Sequence, residues 1–239
     1  MTMVRATILL IDDHPITIDA YINILSMQEN SEAVIEFTTA YSCREAYKKI
    51  TTTYNSQKTF QVAFVDISLP PYDAKQIYCG IDLAILIRRH FPACKIILLT
   101  MHSESLIVKK AMEQINPDGF ILKNDIDTKS LLTAYKSIIG GNTYYSPSIC
   151  KIHNDNTLNK LNLDVIDCQI LELISRGIKT KDMPHYLDLS LSAIEKRKAC
   201  IKTKILKDRG SDKELIEEAK KIDLVSIDEE YRTFLTHKP

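Results

Sequence analysis

Gln61-Val62-Ala63-Phe64-Val65-Asp66-Ile67-Ser68-Leu69-Pro70 is the stretch that decides the fold. An unbroken apolar run closed by one acid, then Pro70 and Pro71, predicts a strand buried on both faces whose last side chain emerges at the carboxyl edge of a sheet. Open α/β sheets bind their ligands at that edge. Three further runs end in chemically useful groups. Thr7-Ile8-Leu9-Leu10-Ile11 runs into Asp12-Asp13, Ile96-Ile97-Leu98-Leu99 ends at Thr100, and Gly119-Phe120-Ile121-Leu122 ends at Lys123.

If these strands lie parallel and side by side, three carboxylates, a hydroxyl and an ammonium converge on one small site. Close carboxylates repel and raise one another's pKa, so a hard divalent cation is the natural counter-charge. Mg²⁺ held by Asp12, Asp13 and Asp66 is the expectation.

Between these strands the pattern turns helical. Pro15 suits the first position of a helix that carries Ile18, Tyr21, Ile22 and Leu25 at helical spacing. A strand is expected over 33–39, then a helix over 42–50 capped by Ser42 with Glu45 three residues on, and a polar connector over 51–58. Helices follow over 81–90, 103–115 and 127–139. Five strands alternating with five helices predict a doubly wound parallel sheet.

Composition sets the bounds. With 239 residues, 45% hydrophobic and 26% charged, the chain can build two ordinary cores. Zero formal net charge excludes a strongly basic nucleic-acid coat and leaves room for a local basic patch. Cys43, Cys79, Cys94, Cys150, Cys168 and Cys200 have no metal-site spacing and read as reduced thiols. The first apolar run is too short for a signal peptide or a membrane span, so a cytoplasmic protein with no membrane partner is expected.

Asp-Asp after the first strand, a lone Asp after the third, Thr after the fourth and Lys after the fifth together resemble the receiver domain of two-component response regulators. The resemblance implies a flavodoxin-like fold in which Asp66 accepts a phosphoryl group from a sensor histidine kinase or a phosphotransfer protein. It makes Asp12, Asp13, Asp66 and the backbone carbonyl of Ser68 the Mg²⁺ ligands. Lys123 would pair with a phosphoryl oxygen, Thr100 would close over another, and Phe120 would be the aromatic switch that turns inward. The loop over 70–80 is longer than is usual in the family; it is either a modulator of partner choice and phosphoryl lifetime or a tolerated insertion. His102 either reaches the phosphoryl group or stays a surface residue.

Gly140-Gly141-Asn142 ends the last of these helices, and the polar stretch over 144–160 reads as a linker. A helix over 163–177 is expected, with Asp164 as cap and Gly177 as stop. A short helix over 181–187 capped by Thr180 and a longer one over 191–206 capped by Ser190 complete a helix-turn-helix arrangement. This segment resembles the effector domain of NarL/FixJ (LuxR-type) regulators, which implies an all-α domain that binds DNA and a homodimer when phosphorylated. By that resemblance the longer helix enters the major groove, with Thr180, Lys181, Ser192, Lys196, Arg197 and Lys202 as DNA contacts.

Lys196, Arg197, Lys198, Lys202, Lys204, Lys207 and Arg209 against Glu195 and Asp208 give the basic face that phosphate neutralisation requires. Lys198 stands where the core stripe of this helix wants an apolar residue; either it snorkels along the stripe or this helix sits differently from its relatives. By the same resemblance Glu195 and Ala199 occupy positions where relatives often carry base- or phosphate-contacting residues, and a carboxylate there would repel backbone phosphate. Ser211-Asp212-Lys213-Glu214 opens a last helix with Leu215, Ile216, Ala219 and Ile222 on one face.

The expected organisation is therefore a receiver over 1–143, a linker over 144–160, a helix-turn-helix domain over 161–226 and a tail over 227–239. The chain would act as a regulator and not as an enzyme. Two alternatives stay open. The second half could bind a protein instead of DNA, or the first half could be a phosphohydrolase of the haloacid dehalogenase kind, although Ser68 stands where that family wants a second Asp.

Overall fold

The computed structural model describes residues 4–27, 33–101, 105–154, 161–206, 210–222 and 224. His102, Lys207, Asp208, Arg209 and the tail over 227–239 lie outside them. Two compact units emerge, one made of residues 1–102 and 111–150, the other of 103–110 and 151–239.

The first unit is a parallel sheet of β1 (Val4–Ile11), β2 (Ala33–Ala40), β3 (Val62–Asp66), β4 (Lys95–Thr100), β5 (Gly119–Leu122) and β6 (Tyr144–Tyr145), in the order β2-β1-β3-β4-β5-β6. Alternating with the strands come α1 (Pro15–Ser26), α2 (Cys43–Asn55), α3 (Gly80–His90), α4 (Ser105–Ile115), α5 (Thr128–Ile139) and α6 (Pro147–Asn154). Both faces of the sheet are buried, which explains the unbroken apolar strands. Ile8, Leu10, Val62, Phe64, Ile97, Leu99 and Ile121 share one core cluster with Ile18, Tyr21 and Leu25 of α1 and Leu131, Ala134 and Ile138 of α5. The alternate residues Leu9, Ile11, Ala63, Val65, Ile96 and Leu98 are equally buried, as are Ala46 and Ile50 of α2 and Ile81, Ala84 and Ile87 of α3.

The strand count is six, not the expected five. Residues 144–145 are too few to show a periodicity, but β5 would otherwise be an open edge. Tyr144 N donates to Asp118 O and Ser146 N to Phe120 O, each at 3.0 Å, so the stretch read as a linker begins with a strand and a helix. The helix after β2 also runs on through the threonine-rich stretch expected to be a connector. Thr51 Oγ1 bonds back to Tyr47 O at 2.8 Å, which satisfies its hydroxyl inside the helix. At its start Ser42 caps as expected, accepting from Glu45 N at 3.3 Å.

Asp118 ties the amino edge of the sheet together. Its carboxylate accepts from Ile96 N at 3.0 Å, Lys95 Nζ at 2.9 Å and Arg88 Nη2 at 3.1 Å. Burial pushes its pKa up, but these donors outweigh it and hold the group below the ordinary carboxylate range. Asp118→Asn is expected to cost about 2 kcal/mol at neutral pH, since hydrogen bonds to a charged partner are lost. Because the native pKa is lowered, that contribution is present at neutral pH and fades as pH falls through the native value. Urea unfolding of both proteins at pH 7 and in acid checks this, and an undiminished gap in acid would refute it.

The second unit carries α7 (Val165–Ser175), a 3-10 turn (Thr180–His185), α8 (Leu191–Leu206) and α9 (Asp212–Lys221). Asp164 and Asp167 form a capping box on α7, and Ser211 and Glu214 form one on α9. Past α7, Gly177 takes a positive φ of 74° while Ile178 N closes back on Leu173 O at 3.0 Å, as a helix stop requires. The short helix expected over 181–187 is this tighter 3-10 turn, with Pro184 inside it and Lys179 at its cap position in place of Thr180. Buried Leu171, Ile174, Met183, Leu187, Ile194, Ile201, Ile205, Leu215 and Ala219 form its interior. Among the described residues no helix is long and apolar enough to cross a membrane.

Candidate functional site

The strand order reverses direction between β1 and β3, where an open α/β sheet leaves a crevice at its carboxyl edge. Asp12 follows β1 and Asp66 ends β3, so the topology alone sets their carboxylates at that crevice. Both are 1% exposed, and Thr100, at the end of the neighbouring β4, is wholly buried. Lys123, directly after β5, reaches in from the side. Its Nζ lies 2.7 Å from Asp66 Oδ2 and 2.7 Å from Asp12 Oδ2. The first contact is a directed hydrogen bond. The second is a charge contact outside hydrogen-bonding angles, so Asp12 Oδ2 has compensation but no directed donor.

Electrostatics follow from this crowding. Burial pushes Asp66 up to about 6; Lys123 opposes the rise and Asp12 adds to it. Burial alone would lower Lys123, but the two carboxylates outweigh it and raise its pKa. The ammonium is therefore permanently charged and holds Asp66 ready as an anion at neutral pH.

The site also fits a hard cation. Asp12 Oδ2, Asp13 Oδ1 and Ser68 Oγ are buried without a hydrogen-bond partner among the described residues. Two of these three orphans are carboxylate oxygens, and one ammonium cannot balance three acids. Ser68 N donates to Asp66 Oδ1 at 3.1 Å, which turns the backbone after β3 beneath the site. His14, which the sequence reading passed over, joins the rim: its Nδ1 lies 2.7 Å from Asp13 Oδ1, and Asp12, Asp13 and His14 each offer a ligand atom within 4.8 Å of the others.

Gly80 is a second residue the sequence reading did not single out. A Cβ there would lie 1.8 Å from Asp66 O, so α3 starts directly against the backbone that carries the acid. Phe120 is 0% exposed, so the ring expected to turn inward is already inside. The 70–80 loop is ordered. Tyr72 N donates to Ile77 O at 2.6 Å, Asp82 Oδ2 accepts from Tyr78 N at 2.8 Å, and the Tyr72 ring packs edge-on to Tyr47 of α2 at 5.9 Å.

In the second unit the predicted basic face divides. Arg197 Nη1 is paired with Asp164 at 2.8 Å and Asp167 at 2.7 Å. Lys198 Nζ reaches Asp212 Oδ2 at 2.6 Å and Thr180 Oγ1 at 2.8 Å, which explains how a lysine fits the core stripe. Lys202 Nζ bonds Asp212 Oδ1 at 2.8 Å and Gly210 O at 2.8 Å. Burial pushes Asp212 up, but these two ammonium groups hold its pKa below the ordinary carboxylate range. Of the predicted DNA contacts, Lys181, Ser192 and Lys196 stay exposed. Lys181 lies in the 3-10 turn; on α8, Ser192 and Lys196 share the open face with Glu195, Ala199, Cys200 and Thr203, a surface nearly neutral in charge.

Comparison with known proteins agrees with this geometry. Residues 8–136 match the response regulator receiver domain family. The chain is 29% identical over 232 residues to the oxygen regulatory protein NreC of Staphylococcus haemolyticus, covering 92% of this chain and 99% of that one. Two solved structures share the fold over both units. One is an RcsB–DNA complex, at 22% identity and a TM-score of 0.57, covering 91% of this chain and 99% of the other. The second is RcsB from Salmonella enterica serovar Typhimurium bound to promoter rprA in the presence of a phosphomimetic, at 23% identity and a TM-score of 0.57, covering 90% and 98%.

Proposed function

Because the chain belongs to the response-regulator receiver family, with the helical second unit of its NarL/FixJ class, we propose that Asp66 is the phosphoacceptor and that phosphorylation controls transcription through DNA binding by the second unit. The observation that carries this reading is the part-buried Lys123 ammonium held 2.7 Å from both Asp12 and Asp66. An Asp66 carboxylate oxygen attacks the phosphorus of a sensor kinase's phosphohistidine. The new P–O bond forms as the P–N bond breaks, and the leaving imidazole takes up a proton. Lys123 follows the charge from Asp66 to a phosphoryl oxygen, and the Thr100 hydroxyl closes over another. Mg²⁺ held by Asp12, Asp13, Asp66 and the Ser68 carbonyl would neutralise charge on the carboxylates and the phosphoryl oxygens.

The receiver, expected over 1–143, is taken to run on through β6, with the linker ending at 160 and the DNA-binding domain over 161–226, acting in the cytoplasm as a homodimer when phosphorylated. The RcsB–DNA complex, which shares the fold, supports DNA as the partner. Lys181, Ser192 and Lys196 are the contacts favoured by exposure; Thr180, Arg197 and Lys202 are held by partners within the chain. Genomic DNA-fragment enrichment with phosphodonor-treated wild type, against Asp66→Asn, tests the whole reading. Fragments sharing a motif, enriched only by phosphorylated wild type, are expected. No enrichment with phosphorylation confirmed would favour a protein partner instead.

The locked cations carry a further expectation. With two exposed lysines per protomer among the predicted DNA contacts, Lys181 and Lys196, a dimer neutralises about four phosphates through them, giving a log–log salt slope near −4. A slope of about −8 or steeper would mean that Arg197 and Lys202 leave their aspartates on binding DNA.

A further inference from the structure

The segment that follows α5 is stitched back to the residues around Lys123. β6 pairs with β5, and the Ser146 hydroxyl, 1% exposed, accepts from Leu122 N at 3.1 Å. Asp125 belongs to the same 3-10 turn as Lys123, a three-residue turn (Lys123–Asp125) closed by Ile126 N on Lys123 O at 3.2 Å. Its carboxylate accepts from Ser148 N at 3.0 Å and Ser148 Oγ at 2.9 Å. Pro147 has no amide hydrogen, so the Ser148 amide is the first that α6 can offer to a cap. One turn thus holds the ammonium against Asp66 at one end and caps α6 at the other. The boundary between the two units falls inside α6, after Cys150.

We propose that Asp125 is a positioning residue for the phosphoryl switch: it fixes the Lys123 turn to the amino end of α6, so that movement of Lys123 is delivered to the helix in which the chain passes from one unit to the next. The proposal rests on Asp66 being the phosphoacceptor. The Lys123–Asp125 turn is closed by its own hydrogen bond, so a backbone shift of Lys123 toward the phosphoryl charge carries Asp125 with it. The Ser148 cap and the Cys150 N to Ser146 O bond of 2.8 Å, which opens the helical ladder, must then adjust.

Hydrogen exchange of the full chain, with and without a small acyl phosphate in Mg²⁺, tests this. In wild type, phosphorylation is expected to change exchange of the α6 amides from Cys150 onward by about tenfold. In Asp125→Ala, Asp66 should still gain the phosphoryl mass and the β5 amides should still respond, while the α6 response falls below about twofold. Asp125→Asn keeps an acceptor for the Ser148 amide and should restore it. An undiminished α6 response in Asp125→Ala overturns the proposal. A wild type that gains no phosphoryl mass at Asp66 overturns the phosphoacceptor reading, and this one with it. Should Asp125→Ala fail to fold, Ser148→Ala removes one of the two bonds and should give an intermediate response; a full response there overturns the proposal equally.

Discussion

Asp66→Asn is expected to abolish labelling by a small acyl phosphate in Mg²⁺ completely, since Asp66 is the residue whose oxygen would form the bond to phosphorus. Radiolabel incorporation or intact mass reads this directly, and labelling that persists would move the phosphoacceptor elsewhere. The same substitution has a second effect of opposite character. Burial raises Asp66 to about 6. The native carboxyl therefore keeps its proton to higher pH than the unfolded one, so the metal-free native state loses stability as pH rises through that value, by about 3 kcal/mol between roughly pH 4 and pH 7. An asparagine has no proton to lose. Urea unfolding across that range should show wild type falling relative to Asp66→Asn, and should show the gap narrow when Mg²⁺ is present to bind the native carboxylates. A constant gap without metal would refute the electrostatic account while leaving the labelling result untouched.

Gly80→Ala is expected to be the most damaging single-methyl addition in the molecule. The new Cβ would sit 1.8 Å from Asp66 O, 2.7 Å from Asp66 C and 2.9 Å from Ile67 Cα, all backbone atoms with no rotamer to change. Relief requires α3 to slide away from β3, which breaks the Gly80 N to Ile67 O bond of 3.0 Å and disturbs the close-packed Ile81, Ala84 and Ile87. Overpacking of this kind costs about 3 kcal/mol or more. Because the clash falls on the backbone of Asp66, the proposed phosphoacceptor, labelling should drop with stability. A chemical-denaturation midpoint equal to wild type would show that α3 can shift at little cost.

Local pattern made much of this protein legible. The apolar runs at 7–11, 62–65, 96–99 and 119–122, each closed by an acid, a hydroxyl or an ammonium, predict parallel strands and their ligand edge together. They do so because a strand's end places its last side chain at the sheet edge whatever its neighbours are. Helix starts at Ser42, Asp164, Ser190 and Ser211 were equally readable, since a cap is satisfied within four residues of itself.

The distant pairings were not readable. Tyr144–Tyr145 becomes a strand only because β5 presents an open edge, and Gly80 matters only because α3 lands on Asp66. The basic helix shows this most clearly. Seven cations near one another in sequence suggested a phosphate-binding face, yet Arg197, Lys198 and Lys202 are engaged by Asp164, Asp167 and Asp212, 14 to 33 residues away for the hydrogen-bonded pairs of Arg197 and Lys198. Sequence by itself determined which side chains stand at the ends of which elements, because hydrophobic period and capping act over a single turn or strand. Only the tertiary structure decided which charges remain available to a partner, because an ion pair depends on which elements come together in space.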